Sequence, residues 1–254
     1  MSSRIVNMEG ELYTLSDEGR EALFVAATIE RWLGHAPGGP IEFESAAAER
    51  AVAALVGGWS AAVVHGLARE PMTSAELDAA IDGLGRRRLQ RQLRAMHDAG
   101  LVEALGEGKD ALYAMTDWLR RGIAPLIAAA RLELDQGMEG ATPVDGSDVE
   151  AGFRMALALV ELPEELSGVC RLRVKLDERR EDPPGGVTAR IERGEVVSCE
   201  AGAEQDADAW ALGSLDAWPN AVIDPDAKAV QTGGDTWLTG ALVSGLHHTL
   251  FGAP

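Results

Sequence analysis

The sequence predicts an α+β protein with two modules, and three patterns support this fold class. Residues 71–116 combine short helical and strand patterns around a run of arginines. Residues 146–252 place alternating apolar runs between two amphipathic helices. A polar, Gly-rich stretch at 136–146 separates the two regions. Runs of strands followed by helices, without regular β-α-β alternation, are typical of α+β folds, and 254 residues are enough for two domains of ordinary size.

Composition and charge limit the classes of protein that the chain can belong to. Apolar residues make up 46% of the sequence and charged residues 25%, and no apolar run approaches the length of about 20 residues that a membrane helix needs. Residues 1–7 lack the apolar core of a signal peptide, which predicts a cytoplasmic location and no membrane partner. The net charge of −18 disfavours a protein that coats nucleic acid nonspecifically, because phosphates would repel most of its surface.

Cysteine, histidine and catalytic motifs give no sign of a metal centre or an enzyme. Cys170 and Cys199 are too few and too far apart for a zinc site or a disulfide framework, so we expect both in buried strands. His247 and His248 have no carboxylate or thiolate at metal-ligand spacing. The sequence also lacks a phosphate-binding glycine loop, a serine elbow and an H-E-x-x-H motif. We therefore predict no catalytic residues, no metal and no cofactor.

The first forty residues predict a hairpin and a helix that recur later in the chain. Strand patterns at 4–6 and 11–15 flank a Gly turn, and Ser16 is placed to cap a helix. The same pattern returns one hundred positions later, where Leu12, Tyr13, Ser16, Asp17 and Arg20 correspond to Leu112, Tyr113, Thr116, Asp117 and Arg120. This predicts an internal duplication with an incomplete first copy. Either the missing part was lost, or the true start lies upstream.

Residues 41–85 predict three helices and a tight turn. After a Gly/Pro linker at 34–40, helical periodicity runs over 42–55 and resumes after Gly57 as far as Leu67. Thr73 and Glu76 have the S/T-x-x-E spacing of a capping box, which opens a helix over 73–81. Glycines 83 and 85 then predict a turn before the next helix.

The helix at 85–98 carries the candidate DNA-binding residues. Leu89, Leu93 and Met96 recur at the spacing of one buried face. Polar side chains fill the other side and the helix start, and these are Arg86, Arg87, Arg88, Gln90, Arg91 and Arg94. Such side chains suit guanine edges and phosphates, although a solvated basic face is the alternative. Strand patterns at 100–105 and 111–115 follow, with Lys109 at their turn either contacting a phosphate or keeping the turn soluble. This order predicts a winged helix-turn-helix that places helix 85–98 in the major groove.

These motifs resemble the HxlR family of winged-helix bacterial regulators over residues 46–134. The resemblance rests on Gly57-Gly58-Trp59, Ser74-Ala75-Glu76-Leu77, Leu89-x-x-x-Leu93, Gly100-Leu101-Val102 and Tyr113-x-x-Thr116. It implies a DNA-binding homodimer paired through terminal helices, here 46–56 and 122–134. The sequence departs from the family pattern in three ways: the cysteine that often precedes the first helix is absent, Gly85 replaces the usual Ser cap of the DNA-reading helix, and the partial duplication is unusual.

The C-terminal region predicts a small α+β domain with an antiparallel sheet and flanking helices. Ser147 is placed to cap a helix that ends before Pro163, and Ser214 to cap a short helix through Trp218. Strand patterns lie at 169–176, 187–191, 195–199, 207–212 and 229–232, and a final amphipathic helix spans 234–251. Arg193-Gly194 is short enough for a two-residue hairpin turn.

This C-terminal pattern resembles the sterol carrier protein type two fold over residues 146–252. The resemblance rests on the hairpin at Gly194, the run Ala207-Asp208-Ala209-Trp210 before Gly213-Ser214, and Gly233-Gly234-Asp235 before the last helix. It implies an apolar tunnel between the sheet and the terminal helices. The candidate lining residues, each of which has plain core packing as its alternative, are Phe153, Leu157, Trp210, Trp218, Trp237, Leu242 and Leu246.

Together the two modules predict a ligand-responsive transcriptional regulator that reads DNA with helix 85–98 and senses an apolar or aromatic small molecule. The expected domains are a winged-helix remnant with a linker at 1–40, a winged helix-turn-helix at 41–138 and a ligand-binding domain at 146–254. The alternative is a small-molecule sequestering protein for self-resistance, in which the winged-helix domains serve as a dimer scaffold. The acidic charge and the incomplete first copy favour that alternative.

Overall fold

The structure is a computed structural model that describes residues 6–9, 12–81, 83–135, 146–176, 185–202 and 206–252. These ranges contain ten α-helices and ten strands arranged around two hydrophobic cores, which confirms the α+β class. The predicted linker at 136–146 lies almost entirely outside the described residues, as do residues 4 and 5 of the first predicted strand.

The N-terminal region forms the predicted hairpin and capped helix, although the first strand extends to Glu9, beyond its predicted end at residue 6. Strand β1 (Val6–Glu9) pairs antiparallel with β2 (Leu12–Leu15), and helix α1 (Asp17–Gly34) follows. The Ser16 hydroxyl accepts a hydrogen bond from the Gly19 amide, and Asp17 and Glu18 occupy the first turn. Both features stabilise a helix N-terminus, because its first amides lack partners and carry partial positive charge.

The central region contains six more helices and a small sheet. In order these are α2 (Ala46–Val56), α3 (Gly58–Leu67), β3 (Met72–Thr73), α4 (Ser74–Ala80), α5 (Arg86–Asp98), β4 (Val102–Leu105), β5 (Leu112–Met115), α6 (Asp117–Arg121) and α7 (Ile123–Asp135). Strand β5 lies between β3 and β4, antiparallel to both. The capping box is confirmed: Glu76 N–H donates to Thr73 Oγ1 over 3.2 Å, and Thr73 N–H donates to Glu76 Oε2 over 2.7 Å.

The two predicted repeats match element by element. Strands β2 and β5 occupy residues 12–15 and 112–115, and each is the second strand of an antiparallel pair. The residue after each strand, Ser16 or Thr116, caps the next helix through its hydroxyl. The copies differ after the cap, because α1 is continuous whereas Gly122 divides α6 from α7.

The C-terminal region packs three helices on one face of a five-stranded sheet. Its elements are α8 (Gly146–Leu157), β6 (Gly168–Lys175), β7 (Gly185–Glu192), β8 (Glu195–Ala201), β9 (Ala209–Ser214), α9 (Ala217–Ile223), β10 (Gln231–Gly234) and α10 (Thr236–Phe251). The strand order is β10-β9-β6-β7-β8. Arg193 and Gly194 have φ values of 51° and 80°, which is the left-handed backbone of a two-residue hairpin turn and confirms that prediction.

Three details of the C-terminal prediction are corrected by the structure. The sheet is mixed, because β9 runs parallel to β6 after the chain crosses back from the β8 edge. Ser214 ends strand β9 and caps no helix, since α9 begins only at Ala217. Helix α8 ends at Leu157, six residues before Pro163, and already includes Ser147.

Three helices belong to both hydrophobic cores. In the first core, Trp32 of α1 stacks on Trp118 of α6 at 4.7 Å between ring centroids, and each indole N–H donates to the other residue's carbonyl oxygen. In the second core, Phe24 of α1 stacks on Phe251 of α10 at 5.8 Å. Helices α7 and α8 also contribute apolar side chains to both cores. The two halves are therefore joined by packed side chains along α1, α7 and α8.

Helix α7 is one of the three helices shared by the two cores, and most of its length is covered. No residue from Ile123 to Leu132 is exposed. Arg131 donates to Glu21 Oε2 through Nε at 3.0 Å and Nη2 at 2.5 Å, and its guanidinium carbon lies 4.9 Å from the Phe24 ring centroid. Helix α1 thus covers α7 within the same chain. Among the described residues, no helix is long and apolar enough to cross a membrane.

Candidate nucleic-acid interface and candidate ligand-binding residues

The basic helix α5 is fixed by one apolar face. Leu89, Leu93 and Met96 are each at most 1% exposed and lie in the first core, as their spacing predicts. Burial of three such side chains contributes roughly 1.5–3 kcal/mol each. The rotation of the helix about its axis is therefore set, and the opposite face is directed to solvent.

The opposite face carries all six predicted polar residues. Arg86, Arg87, Arg88, Gln90, Arg91 and Arg94 are all exposed. None of the five arginines has a carboxylate within ion-pair distance among the described residues. Five of the six, all but Arg86, border one shallow surface depression. In a chain of net charge −18, this face is a local concentration of positive charge without compensating acids.

The start of α5 shows why glycine is required at position 85 in place of a residue with a capping side chain. Gly83 and Gly85 have φ values of 79° and 72°, in the left-handed region that strains other residues. Leu84, between them, is 2% exposed and anchors the turn in the first core. The turn therefore needs the backbone freedom of glycine at position 85, at the cost of a side-chain cap.

The hairpin beside α5 is held firmly but carries negative charge. Thr116 Oγ1 lies 2.9 Å from the Gly100 carbonyl oxygen and 3.0 Å from that of Leu101, which ties the end of β5 to the start of β4. The exposed acids Glu103, Glu107 and Asp110 lie along the hairpin. The side chain of Lys109 lies outside the described residues. The described charges of the hairpin disfavour phosphate contact there.

Five of the seven predicted ligand-binding residues pack in the second core. Leu157 and Leu242 are fully buried, Leu246 is 1% exposed and Trp218 is 6% exposed. The half-buried Phe153 contacts Trp218 edge to face, with ring centroids 4.9 Å apart and planes at 80°. The indole N–H of Trp218 donates to the Arg173 carbonyl oxygen over 2.8 Å. These five side chains are therefore part of the core between the sheet and the helices.

The other two predicted residues lie elsewhere. Trp210 is 37% exposed on the sheet face opposite the helices and covers its partner Gly233 in β10. A Cβ atom at position 233 would come within 2.4 Å of that indole, so glycine is needed there. Trp237, in the first turn of α10, is 57% exposed. The seven residues do not surround one cavity in the described structure, and ligand binding at them remains a prediction.

A cleft of about 320 Å³ lies instead where the two halves meet. Its walls come from the end of α1, the α6–α7 junction, the segment after α8 and the last turn of α10. The polar residues of the cleft include Arg31, His35, Arg121, Glu161 and His248. The sequence prediction missed all of them, because they come from four separate parts of the chain and no motif links them. Arg31, in the last turn of α1, has only the ordinary signal of a basic helix end.

The two cysteines lie on different strands, and the two histidines of α10 have different surroundings. Burial raises the pKa of Cys170 to about 12 and that of Cys199 to about 11. Cys170 is buried in β6 and Cys199 half-buried in β8, which confirms the prediction of strand cysteines and makes thiol sensing unfavourable. His247 Nδ1 lies 3.0 Å from the Val222 carbonyl oxygen, whereas His248 is exposed. Within the described ranges, no cluster of three or more metal-ligating side chains occurs.

Comparison with known proteins gives no independent assignment for this fold. The chain matches no protein-family model and no curated protein. Both family resemblances therefore rest on the motifs of the sequence itself.

Proposed function

We propose that the protein is a ligand-responsive transcriptional regulator whose central region is a winged helix-turn-helix and whose helix α5 enters the DNA major groove. The observation that supports this most directly is the exposed face of α5, where five arginines and Gln90 have no acidic partner among the described residues. A basic face kept free of carboxylates in a strongly acidic chain is better suited to an anionic partner than to solubility alone.

The surroundings of α5 support the same assignment. Helices α4 and α5 are joined by the short turn at Gly83 to Gly85, and the β4–β5 hairpin follows α5 directly. This is the order of elements in a winged helix-turn-helix, where the second helix reads base edges. Arg88 and Arg91 would then supply guanidinium groups for guanine, and Gln90 an amide for adenine. The acidic hairpin leaves most of the affinity to α5.

The proposed response to a ligand requires a physical link between the halves. Helix α8 provides one: His65 Nε2 of α3 lies 2.9 Å from Asp148 Oδ1 of α8, and Arg69 lies 4.0 Å from Glu150. Helix α3 in turn packs on α5. A ligand that binds one arrangement of α8 more tightly than another would shift the position of α5, whereas equal affinity for both would shift nothing.

The alternative proposal, a sequestering protein built on a winged-helix scaffold, is favoured by one observation. Helix α7, one of the two helices expected to pair across a homodimer, is covered by α1 of the same chain. Dimer pairing would then fall to α2, whose exposed residues include Glu49, Arg50 and Val56. A protein without two spaced DNA-reading helices has a smaller DNA interface, which lowers affinity for an operator.

Selection from a random double-stranded DNA library at low salt tests the proposal. The wild-type protein should enrich a defined sequence. The double variant R87E/R91E should bind that sequence at least about a hundredfold more weakly, since each lost guanidinium contact costs about 1–3 kcal/mol and the new acids repel phosphate.

The matched control is K175E/R193E, which changes the net charge equally at exposed positions of the C-terminal sheet. It should keep nearly all of the wild-type affinity. Equal losses in both double variants would mean that only the total charge matters, and no enrichment by the wild-type protein would reject the regulator in favour of the sequestering alternative.

A further inference from the structure

The cleft between the two halves is unusually cationic for this chain. Among its lining residues are two arginines, two histidines and a single carboxylate, Glu161, whereas the whole chain has a net charge of −18. Arg31 and Arg121 are half-buried, and neither has a carboxylate within ion-pair distance among the described residues. Partly desolvated cations without a counter-charge attract an anion.

The existing hydrogen bonds of these arginines leave donors free for a ligand. Arg31 Nη1 donates to the Phe251 carbonyl oxygen over 2.6 Å, and Arg121 Nη1 to that of Thr249 over 3.4 Å. These bonds cap the last carbonyls of α10, which is a structural role of its own. A guanidinium group has five N–H donors, however, and among the described residues only one donor of each arginine has a protein acceptor. The caps also orient both side chains, which lowers the cost of ordering them around an anion.

The rest of the cleft defines the size and the polarity of the ligand. Its volume of about 320 Å³ lies at the lower end of the range for small-molecule sites. Apolar side chains, including Ala124, Leu159 and Leu250, line it alongside the charged groups. The indole of Trp32, 3% exposed and stacked on Trp118, forms a rigid part of the wall. This combination suits a single ring or short chain that carries one carboxylate.

We propose that this cleft binds a small organic carboxylate, with Arg31 and Arg121 holding the carboxylate and the apolar side chains holding its hydrocarbon part. The inference deepens the ligand-sensing part of the proposed function by placing the ligand at the junction of the halves, but binding itself needs no DNA. Because α1, α7 and α10 all border the cleft, an occupant contacts both cores at once.

Isothermal titration of the full-length protein with sodium benzoate, at constant ionic strength, tests the proposal, with neutral benzamide as the paired probe. Benzoate should bind at one site per chain and at least about tenfold more tightly than benzamide, because a charge-assisted hydrogen bond is worth about 1.5–3 kcal/mol. R31Q and R121Q should each weaken benzoate binding by about tenfold or more on the same grounds.

Two further variants separate loss of the site from loss of the fold. L159F fills the cleft without removing either arginine, and it should abolish benzoate binding while the protein melts cooperatively. R193Q, an exposed arginine at the β7–β8 turn, should bind benzoate like the wild type. Equal affinity for benzoate and benzamide, wild-type affinity in R121Q and L159F, or no binding at millimolar benzoate would each overturn the proposal. Failure of benzoate to bind would leave the DNA result untouched, so the two proposals fail separately.

Discussion

The basic face of α5 is predicted by helical periodicity and the C-terminal pocket by a resemblance of folds, and only the residues of the first prediction lie together in the structure. All six polar residues of α5 lie together on one exposed face. The seven predicted pocket residues are divided between the second core, the outer face of the sheet and the first turn of α10. A cleft does exist, but it lies between the halves and uses none of the seven.

The two predictions differ in outcome because the residues that determine each feature lie at different distances from one another in the sequence. Once Leu89, Leu93 and Met96 bury one side of α5, helical geometry alone directs the arginines outward. A cavity, by contrast, is space that several elements fail to fill, and an apolar side chain is equally suited to fill it or to line it. The identity of Trp218 or Leu242 therefore cannot show which of the two occurs.

The largest expected effect distinguishes core packing from pocket lining at Leu242. Because this side chain is fully buried in the second core, L242A should lower the free energy of unfolding by about 2–5 kcal/mol. Trp237 is 57% exposed, so W237A should change it by no more than about 0.5 kcal/mol. Urea denaturation followed by circular dichroism measures both.

L93A in α5 provides the matched control, since Leu93 is buried to the same degree in the first core. It should cost as much as L242A. If L242A costs less than about 1 kcal/mol while L93A shows the full loss, Leu242 borders a void and the original tunnel prediction gains support.

The second expected effect is a loss of DNA affinity that leaves the free energy of unfolding almost unchanged. Arg91 is exposed and makes no ion pair in the described structure, so R91A should alter unfolding by no more than about 0.5 kcal/mol. If Arg91 contacts a base edge, affinity for the selected DNA falls by about 1–3 kcal/mol at that base pair alone. If it contacts a phosphate, binding weakens uniformly and the slope of log K against log salt falls by about 1.

Fluorescence anisotropy with the selected duplex and with single-base variants of it separates these two outcomes. R193A serves as the comparison, because Arg193 is an exposed arginine in the β7–β8 turn of the C-terminal region. If R91A leaves both the affinity and the salt slope unchanged, this side of α5 faces solvent in the complex. That result would favour the alternative in which the basic face is solvated and contacts no DNA.

The fold was predictable from sequence wherever a few neighbouring residues decide the structure. The Thr73–Glu76 capping box, the Arg193-Gly194 turn and the apolar face of α5 are each specified by residues that lie within a few positions of one another. The parallel pairing of β9 with β6 was missed because it joins residues about forty positions apart across a crossover. A strand pattern specifies which side chains face the core, but it does not specify the neighbouring strand.

The cleft between the two halves could not be predicted from the sequence, because the residues that form it lie even farther apart along the chain. Arg31 and Arg121 meet the end of α10 across more than one hundred residues, and α1 reaches it only because it packs between the two cores. Helix α7 shows a related effect. Its apolar sequence suited an interface between subunits, but helix α1 of the same chain covers it.

The smallest expected effect tests the most local of these predictions, the cap of α4 that precedes α5. Loss of the Thr73 hydroxyl in T73A should cost about 1 kcal/mol of stability.

Hydrogen bonds from Thr73, first from its backbone N–H and then from its side chain, lower the pKa of Glu76 below the ordinary value of 4.5. A carboxylate whose pKa is lower in the folded state stabilises the fold above its unfolded pKa, and this contribution is lost as pH falls through the folded pKa. The stability difference between wild type and E76Q, from urea denaturation at a series of pH values, should therefore be greatest near neutral pH and shrink below 4.5. Parallel stability curves for the two proteins across this range would show that the cap of α4 does not form in solution.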